Sequence, residues 1–241
     1  HYLCNQLGLD MDNAVQAIAW AFECFQRGLL DKRQTGGLDL TWGNHDALIR
    51  MLQKLAAREG LGELLAEGAK RAAEKLGRNS ERFAIHLKGQ DSLDGIRINK
   101  AWGFAVVLSP VGGRHLRGGV AGFWQSDQPI NSYEGVPEGV SQNQKQKAVQ
   151  DILGTCSYVY GQSMQDWAAM YAGASGSDFT EEELLHIGRQ AHNLEKAFNT
   201  IHAGFTRKDD FPPYRYSHER VASGPFRGEV LDPGQWERLL D

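Results

Sequence analysis

Apolar residues recur along this chain mainly at three- and four-residue intervals, the period of an amphipathic helix; long two-residue alternation is absent. The segment DNAVQAIAWAFECFQRGLL places Val15, Ile18, Phe22 and Phe25 on one side, with Asp10 or Asp12 as its N-cap. After the loop DKRQTGGLDLTWG the pattern returns in NHDALIRMLQKLAAREG, which predicts a helix capped by Asn44 and stopped at Gly60. LGELLAEGAKRAAEKLG repeats it to Gly77, and the short gap predicts that these two helices form a hairpin. NKAWGFAVVLS reads as a buried helix ending at Pro110. SQNQKQKAVQDIL, MQDWAAMYAGA and TEEELLHIGRQAHNLEKAFNTIH add three more, the last opened by a capping box of Thr180 and Glu183. FAIHLKG reads as a short extended segment, the glycine-rich stretch that begins VGGRHLRGGVAGFW as a long loop, and TRKDDFPPYRYSHERVASGPFRGE as an extended or irregular tail. The expected class is all-α and multihelical: two helical subdomains, 1–84 and 85–241, with long glycine-rich loops.

Composition narrows the function classes. Of 241 residues, 41% are hydrophobic and 23% charged, enough apolar material for a core without a disulfide or metal staple. A net charge of −4 gives no support to a nucleic-acid partner. The best apolar run, GFAVVLSPVGG, is far shorter than the roughly 20 residues of a membrane span. No signal-peptide pattern opens the sequence at His1, so the expected location is cytoplasmic, with no membrane partner. Three cysteines, Cys4, Cys24 and Cys156, with no C-x-x-C pair, match neither a secreted disulfide scaffold nor a self-contained zinc site.

Two phrases share one spacing. CNQLGLD and QDILGTCSYVY each carry a polar residue, a gap of two, a glycine, one more residue and a terminal acid or thiol: Asn5, Gly8 and Asp10, then Asp151, Gly154 and Cys156. Glycine permits a tight turn and a close backbone approach to a ligand. A thiol displayed on such a turn can bind iron, although burial in a core is the commoner fate of a free cysteine; the motif by itself leaves both readings open. An iron–sulfur cluster usually takes four thiolates, so most of its ligands would have to come from outside these residues. Cys24, among apolar helical neighbours, reads as core. In GGRHLRGG, Arg114, His115 and Arg117 stand among glycines. Cations beside exposed backbone amides suit anionic groups such as phosphates, and an imidazole ordinarily titrates near neutrality and can move a proton. The competing reading is a solvent loop with surface arginines. Glu183 and His186 in ELLH form one copy of a pattern that a di-iron bundle needs twice, which makes them a solvated helix face. His45, His86, His192, His202 and His218 show no ligand spacing, HNLEKAFNT reads as a helix face and TRKDD as a charged loop.

Taken in order, CNQLGLD, GLDLTWGN, REGLGELLAEGAKRAAEKLG, GGRHLRG, D-x-x-G-x-C, GRQAHNLEKAFN and GFTRKDD make the chain resemble the C-terminal helical region of the aldehyde ferredoxin oxidoreductase family. The resemblance runs from about Asn5 to about Asp210. It implies an enzyme with a tungstopterin, that is tungsten or molybdenum on two molybdopterin dithiolenes, and one 4Fe-4S cluster in the full-length protein. The isolated chain is expected to carry neither and to be inactive. It implies that Asn5, Leu9 and Asp10 serve one pterin and Asp151 and Thr155 the other, that Cys156 is a cluster ligand, and that Arg117, assisted by Arg114, faces a pterin phosphate. His115 is then the proton-transfer residue. The implied reaction oxidises an aldehyde to a carboxylic acid and sends electrons through the cluster to ferredoxin. The implied partners are a pterin-covering N-terminal domain and a C-x-x-C-x-x-x-C segment upstream, with a further helix after Asp241; homodimerisation stays open. Asn5 stands where the family has Asp, Thr155 where it has Leu, and KGQDSLDGIRINKAWG, with Asp94 and Arg97, lacks the family's D-P-R phrase. That change leaves two alternatives: a tungsten reductase of aromatic thioesters, or a non-catalytic helical fragment that binds a partner.

Overall fold

Helix caps written into the sequence set most of the element boundaries in the computed structural model, which describes residues 1–91, 96–118, 129–156, 158–159 and 162–241. Among the described residues there is no strand, only an isolated bridge between Leu87 and Gln90. The chain divides into two units, residues 1–93 with 213–215 and residues 94–212 with 216–241. Asp94 lies outside the described residues.

The first unit holds α1 (Tyr2–Leu7), α2 (Met11–Gln26), α3 (His45–Ala57), α4 (Leu61–Leu65) and α5 (Gly68–Leu76), followed by a 3-10 turn at Ser80–Phe83. Helix α2 is its centre and buries Ala14, Ala17, Ile18, Trp20, Ala21, Phe22 and Cys24. Burial of side chains the size of Ile18 and Phe22 stabilises a fold by roughly 1.5–3 kcal/mol each. Ile18 and Phe22 are buried and Phe25 packs against the core, as the pattern predicts; of the four, Val15 lies outside the buried face, at 41% exposure. Trp20 also fixes the 3-10 turn, because its Nε1 donates to the Ser80 carbonyl at 3.2 Å. Asn44 caps α3 as expected, accepting from the Ala47 N–H at 3.1 Å. The stop comes at Arg58 instead of Gly60, with Arg58 in the left-handed region at φ 54°. The helix expected over 61–77 is two helices, because Gly68, the first residue of α5, sits at φ 82°, a value that no continuous helix could carry in its interior. FAIHLKG is not a strand: the 3-10 turn takes its first residue, and the bridge at Leu87 is its one sheet-like pairing among the described residues.

The second unit holds α6 (Lys100–Leu108), α7 (Val136–Ile152), α8 (Met164–Ser175), α9 (Glu181–Ala203), a 3-10 turn at Arg207–Asp210, and α11 (Pro233–Leu240); α10 (Tyr214–His218) lies between the last two. The capping box of α9 is formed: Glu183 N–H donates to Thr180 Oγ1 at 3.2 Å and Thr180 N–H to Glu183 Oε2 at 2.9 Å. Ser163 and Asp166 build a second box on α8 that the sequence reading passed over. Helix α6 is nearly all buried, and so is its first residue: Lys100 is 1% exposed. Its Nζ donates to the Arg97 carbonyl at 2.7 Å, Glu229 at 2.8 Å and the Val230 carbonyl at 2.9 Å. A tail expected to be irregular is thereby tied to α6. The tail also contains α10 and is followed by α11, whose Trp236 is buried and donates to the Asp210 carbonyl at 2.9 Å. Among the described residues no helix is long and apolar enough to cross a membrane.

Helices α7 and α9 carry the residues of greatest interest, and their spacing has a definite cause. A Cβ on Gly188 of α9 would lie 2.3 Å from the Lys145 carbonyl of α7. The two backbones therefore meet at a distance only glycine allows. Gly188→Ala should lower stability by about 1–3 kcal/mol, the usual cost of overpacking, read as a lower urea midpoint; an unchanged midpoint would show that the helices can separate freely.

Candidate functional site

The two repeated phrases fold into the same backbone device. Each ends a helix on a glycine in the left-handed region, Gly8 at φ 67° after α1 and Gly154 at φ 70° after α7. In each, the glycine N–H donates to the carbonyl of the motif's first residue, Gly8 to Asn5 at 3.4 Å and Gly154 to Asp151 at 3.1 Å. In each, the next N–H reaches one residue further back, Leu9 to Cys4 at 2.9 Å and Thr155 to Gln150 at 3.0 Å. This is a Schellman-type stop, and it turns the following residue away from the helix axis.

What the stops display differs. Asp10 is exposed and is at once the N-cap of α2: its Oδ1 accepts from Asn13 N–H at 2.8 Å and Asn13 Nδ2 at 3.0 Å. Asn5 is exposed, with its amide 3.3 Å from the His1 ring nitrogen, and Leu9 is half-buried. At the second stop Thr155 folds back, its hydroxyl donating to the Gln150 carbonyl at 3.0 Å. Cys156 is exposed, with the Tyr158 N–H 3.4 Å from its Sγ, so the core reading of this cysteine is overturned. Cys24 is core as expected, and burial pushes its thiol up to about 12.

Asp151 is gripped from two sides. Lys147, one turn earlier on α7, donates to Oδ1, and Arg117 from the glycine-rich loop donates to Oδ2. The other arm of Arg117 pairs with Glu195 of α9. Further along α9, Lys196 pairs with Asp210 at 2.8 Å and the Asn199 amide donates to the Pro110 carbonyl. His192 lies within this charged set. Burial pushes its imidazole down to about 4, the cations Lys196 and Arg117 push the same way, and Asp210 opposes them. His115, two residues before Arg117, stacks on Trp102 with ring centroids 5.3 Å apart and planes at 24°. Arg114 opens that turn, its carbonyl accepting the Gly118 N–H at 3.1 Å.

Arg117 and Asp151 are thus brought together, with His115 and Arg114 on the loop that carries Arg117. Lys147, Glu195 and His192 were missed as members of the site. The Lys147–Asp151 spacing of four was visible in the sequence; nothing local marked Glu195 or His192.

A family profile described as aldehyde ferredoxin oxidoreductase, domains 2 & 3, matches residues 1–241. The chain belongs to the aldehyde ferredoxin oxidoreductase family. It is 28% identical over 243 residues to the tungsten-containing aldehyde ferredoxin oxidoreductase of Pyrococcus furiosus, a match covering 96% of this chain and 39% of that protein. The protein of the same description from Thermococcus kodakarensis is 28% identical over 239 residues, with the same two coverages. An aliphatic sulfonate oxidoreductase, WOR-like subunit, from Pyrococcus furiosus is 29% identical over 241 residues, covering 95% of this chain and 36% of that protein. The active site complex BamBC of benzoyl coenzyme A reductase, solved with 1,5-dienoyl-CoA, shares the fold with a TM-score of 0.69 at 20% identity, over 97% of this chain and 40% of that one. The chain therefore spans about two fifths of the length of the aldehyde ferredoxin oxidoreductases it matches.

The residues fit the cofactors that the family implies. A pterin presents ring N–H donors and an anionic phosphate. Asp151 keeps lone pairs beyond those used by Lys147 and Arg117, since each carboxylate oxygen can accept twice. The adjacent Gln150 Oε1 is buried without a hydrogen-bond partner among the described residues, an acceptor that an N–H-bearing ligand would satisfy. The exposed Cys156 thiol, with a backbone N–H directed at it, suits a single cluster ligand. Among the described residues no group of three or more His, Cys, Asp or Glu side chains is placed to hold a metal ion, so these residues do not complete a cluster.

Two outcomes follow from this geometry. Gly154→Ala meets no steric contact within 4 Å, so its cost is the left-handed backbone alone, about 1 kcal/mol by denaturant unfolding; a neutral result would mean the stop is not held. His192 is depressed in the folded state, so its contribution to stability is full above its unfolded value near 6.5 and is lost as pH falls towards about 4. Urea midpoints measured across that window should fall more steeply for the wild-type chain than for His192→Gln; parallel curves would remove His192 as a cause.

Proposed function

We propose that the chain is the helical, cofactor-holding portion of a tungsten or molybdenum bis-pterin oxidoreductase that oxidises aldehydes to carboxylic acids. The observation that carries this reading is the pair of matching helix stops, each displaying a polar end group, in a chain that matches domains 2 & 3 of the family from end to end. The bound metal–pterin group and cluster would supply the redox step and the path for electrons to ferredoxin.

This chain's residues bind, orient and move protons. Asp10 and Asp151 accept hydrogen bonds from pterin N–H groups, one at each stop, flanked by Leu9 and Thr155. Asn5 accepts without adding charge. Arg117 and Arg114 bring positive charge to the anionic side of the cofactor. Cys156 gives one thiolate to the cluster. Oxidising an aldehyde with water to the acid releases two electrons and two protons, and His115 takes up a proton, its ring held in orientation by Trp102. The upstream partners are a pterin-covering domain and the segment with the remaining cluster thiolates. The working location is the cytoplasm.

A second reading, reduction of an aromatic thioester, is supported by the departure of KGQDSLDGIRINKAWG from the family phrase. Similar identity to an aldehyde oxidoreductase and to an aliphatic sulfonate oxidoreductase leaves the substrate to experiment. The purified full-length protein should contain tungsten or molybdenum and iron, and should reduce a viologen dye when given an aldehyde. Cys156→Ser should lower the iron content and stop dye reduction. Residues 1–241 alone should hold no stoichiometric iron. Full iron in the isolated chain, or in Cys156→Ser, would sink the assignment of Cys156 as one of several ligands; dye oxidation by an aromatic thioester without aldehyde-driven reduction would favour the second reading.

A further inference from the structure

Lys147 is only 6% exposed, yet its ammonium serves one carboxylate, Asp151. Surface ion pairs contribute little, and burying a long cationic side chain costs both desolvation and rotamer entropy. The order along α7, base first and acid four residues later, is also the weaker one for propping a helix. Helix stability is therefore a poor account of the pair. The two oxygens of Asp151 go to different segments, Oδ1 to Lys147 on α7 and Oδ2 to Arg117 on the loop. Two such bonds fix the plane of the carboxylate, and the remaining lone pair on each oxygen then points in a set direction. Glu195 takes the other arm of the Arg117 guanidinium, whose planar fork transmits that constraint from α9 to Asp151.

We propose that Lys147 and Glu195 are positioning residues for the Asp151 acceptor, so that the set Lys147–Asp151–Arg117–Glu195 selects an N–H-donating heterocycle at the second helix stop. This rests on the reading of Asp151 as a pterin acceptor. Lys147 acts directly on the carboxylate, and Glu195 acts through Arg117. Neither touches the ligand.

The test uses the full-length protein and the fluorescence of pterin released on denaturation, expressed per mole of folded protein, beside the unfolding midpoint of each variant. Asp151→Asn should lose pterin. Lys147→Met and Glu195→Gln should each retain about tenfold less than wild type at limiting cofactor, the usual effect of removing a group that orients a ligand-binding residue. Lys147→Arg, which keeps the charge, should recover most of that loss. A structural role alone would lower the unfolding midpoint and leave pterin content per folded molecule unchanged. If Lys147→Met does not fold, Glu195→Gln decides, since it keeps size and shape. Full pterin in Lys147→Met and Glu195→Gln with loss in Asp151→Asn overturns this inference and leaves the parent reading standing. Full pterin in Asp151→Asn overturns both.

Discussion

One guanidinium governs the second unit. Arg117 is held between a carboxylate from α7 and another from α9, and a planar fork can serve both only at one helix separation. The backbone contact at Gly188 sets that separation. The loop carrying Arg117 is pinned as well. Before it, the Asn199 amide holds the Pro110 carbonyl; after it, a Cβ on Gly118 would fall 2.2 Å from the Ala105 carbonyl, so the chain there lies directly on α6. Residues 110–118 of the glycine-rich stretch are thereby held at both ends. Gly118 permits that close contact, and Arg117 faces acids of α7 and α9.

The pairing also bears on how a mostly helical scaffold can present a mixed-charge site without collapsing onto it. Lys147 and Arg117 against Asp151 and Glu195 balance locally, so no lone charge is left partly buried. His192 is then free to stay neutral in their midst. The buried Lys100 follows the same rule elsewhere in this unit, with Glu229 and two carbonyls as its partners.

The helices were legible in the sequence wherever a local signal marked them. Asn44 and the Thr180–Glu183 box sit where their side chains can reach N–H groups three residues on, and both caps form. Boundaries failed where the deciding feature was a backbone angle with no side-chain signature: the turn at Arg58, or the break at Gly68 inside a strongly periodic stretch. The tail failed for another reason. Its order comes from Lys100, 129 and 130 residues away, and from the Trp236 bond to Asp210, contacts that no window of sequence contains. The site divides in the same way. Asp151 and Cys156 could be picked out by their spacing, whereas Glu195 looked like a solvated helix face, because its partner lies 78 positions earlier in a loop.

The two helix stops show why one ends in an acid and the other in a thiol. Their backbones are alike to within a few degrees of φ and a few tenths of an ångström in hydrogen-bond length. After the first stop the chain begins α2 at once, and the terminal residue must cap it. Asp10 does so with one oxygen, a task for which a thiol is a poor substitute. After the second stop the next helix among the described residues begins at Met164, so the terminal position there carries no capping duty. The acid at the first stop is thus tied to the fold as well as to any ligand. Replacing Asp10 would remove the cap of α2, whereas replacing Cys156 would remove a partner of the Tyr158 N–H and whatever the thiol binds. The polar residue that opens each motif differs in its surroundings as well. Asp151 meets two cations, while among the described residues the Asn5 amide lies beside the His1 ring.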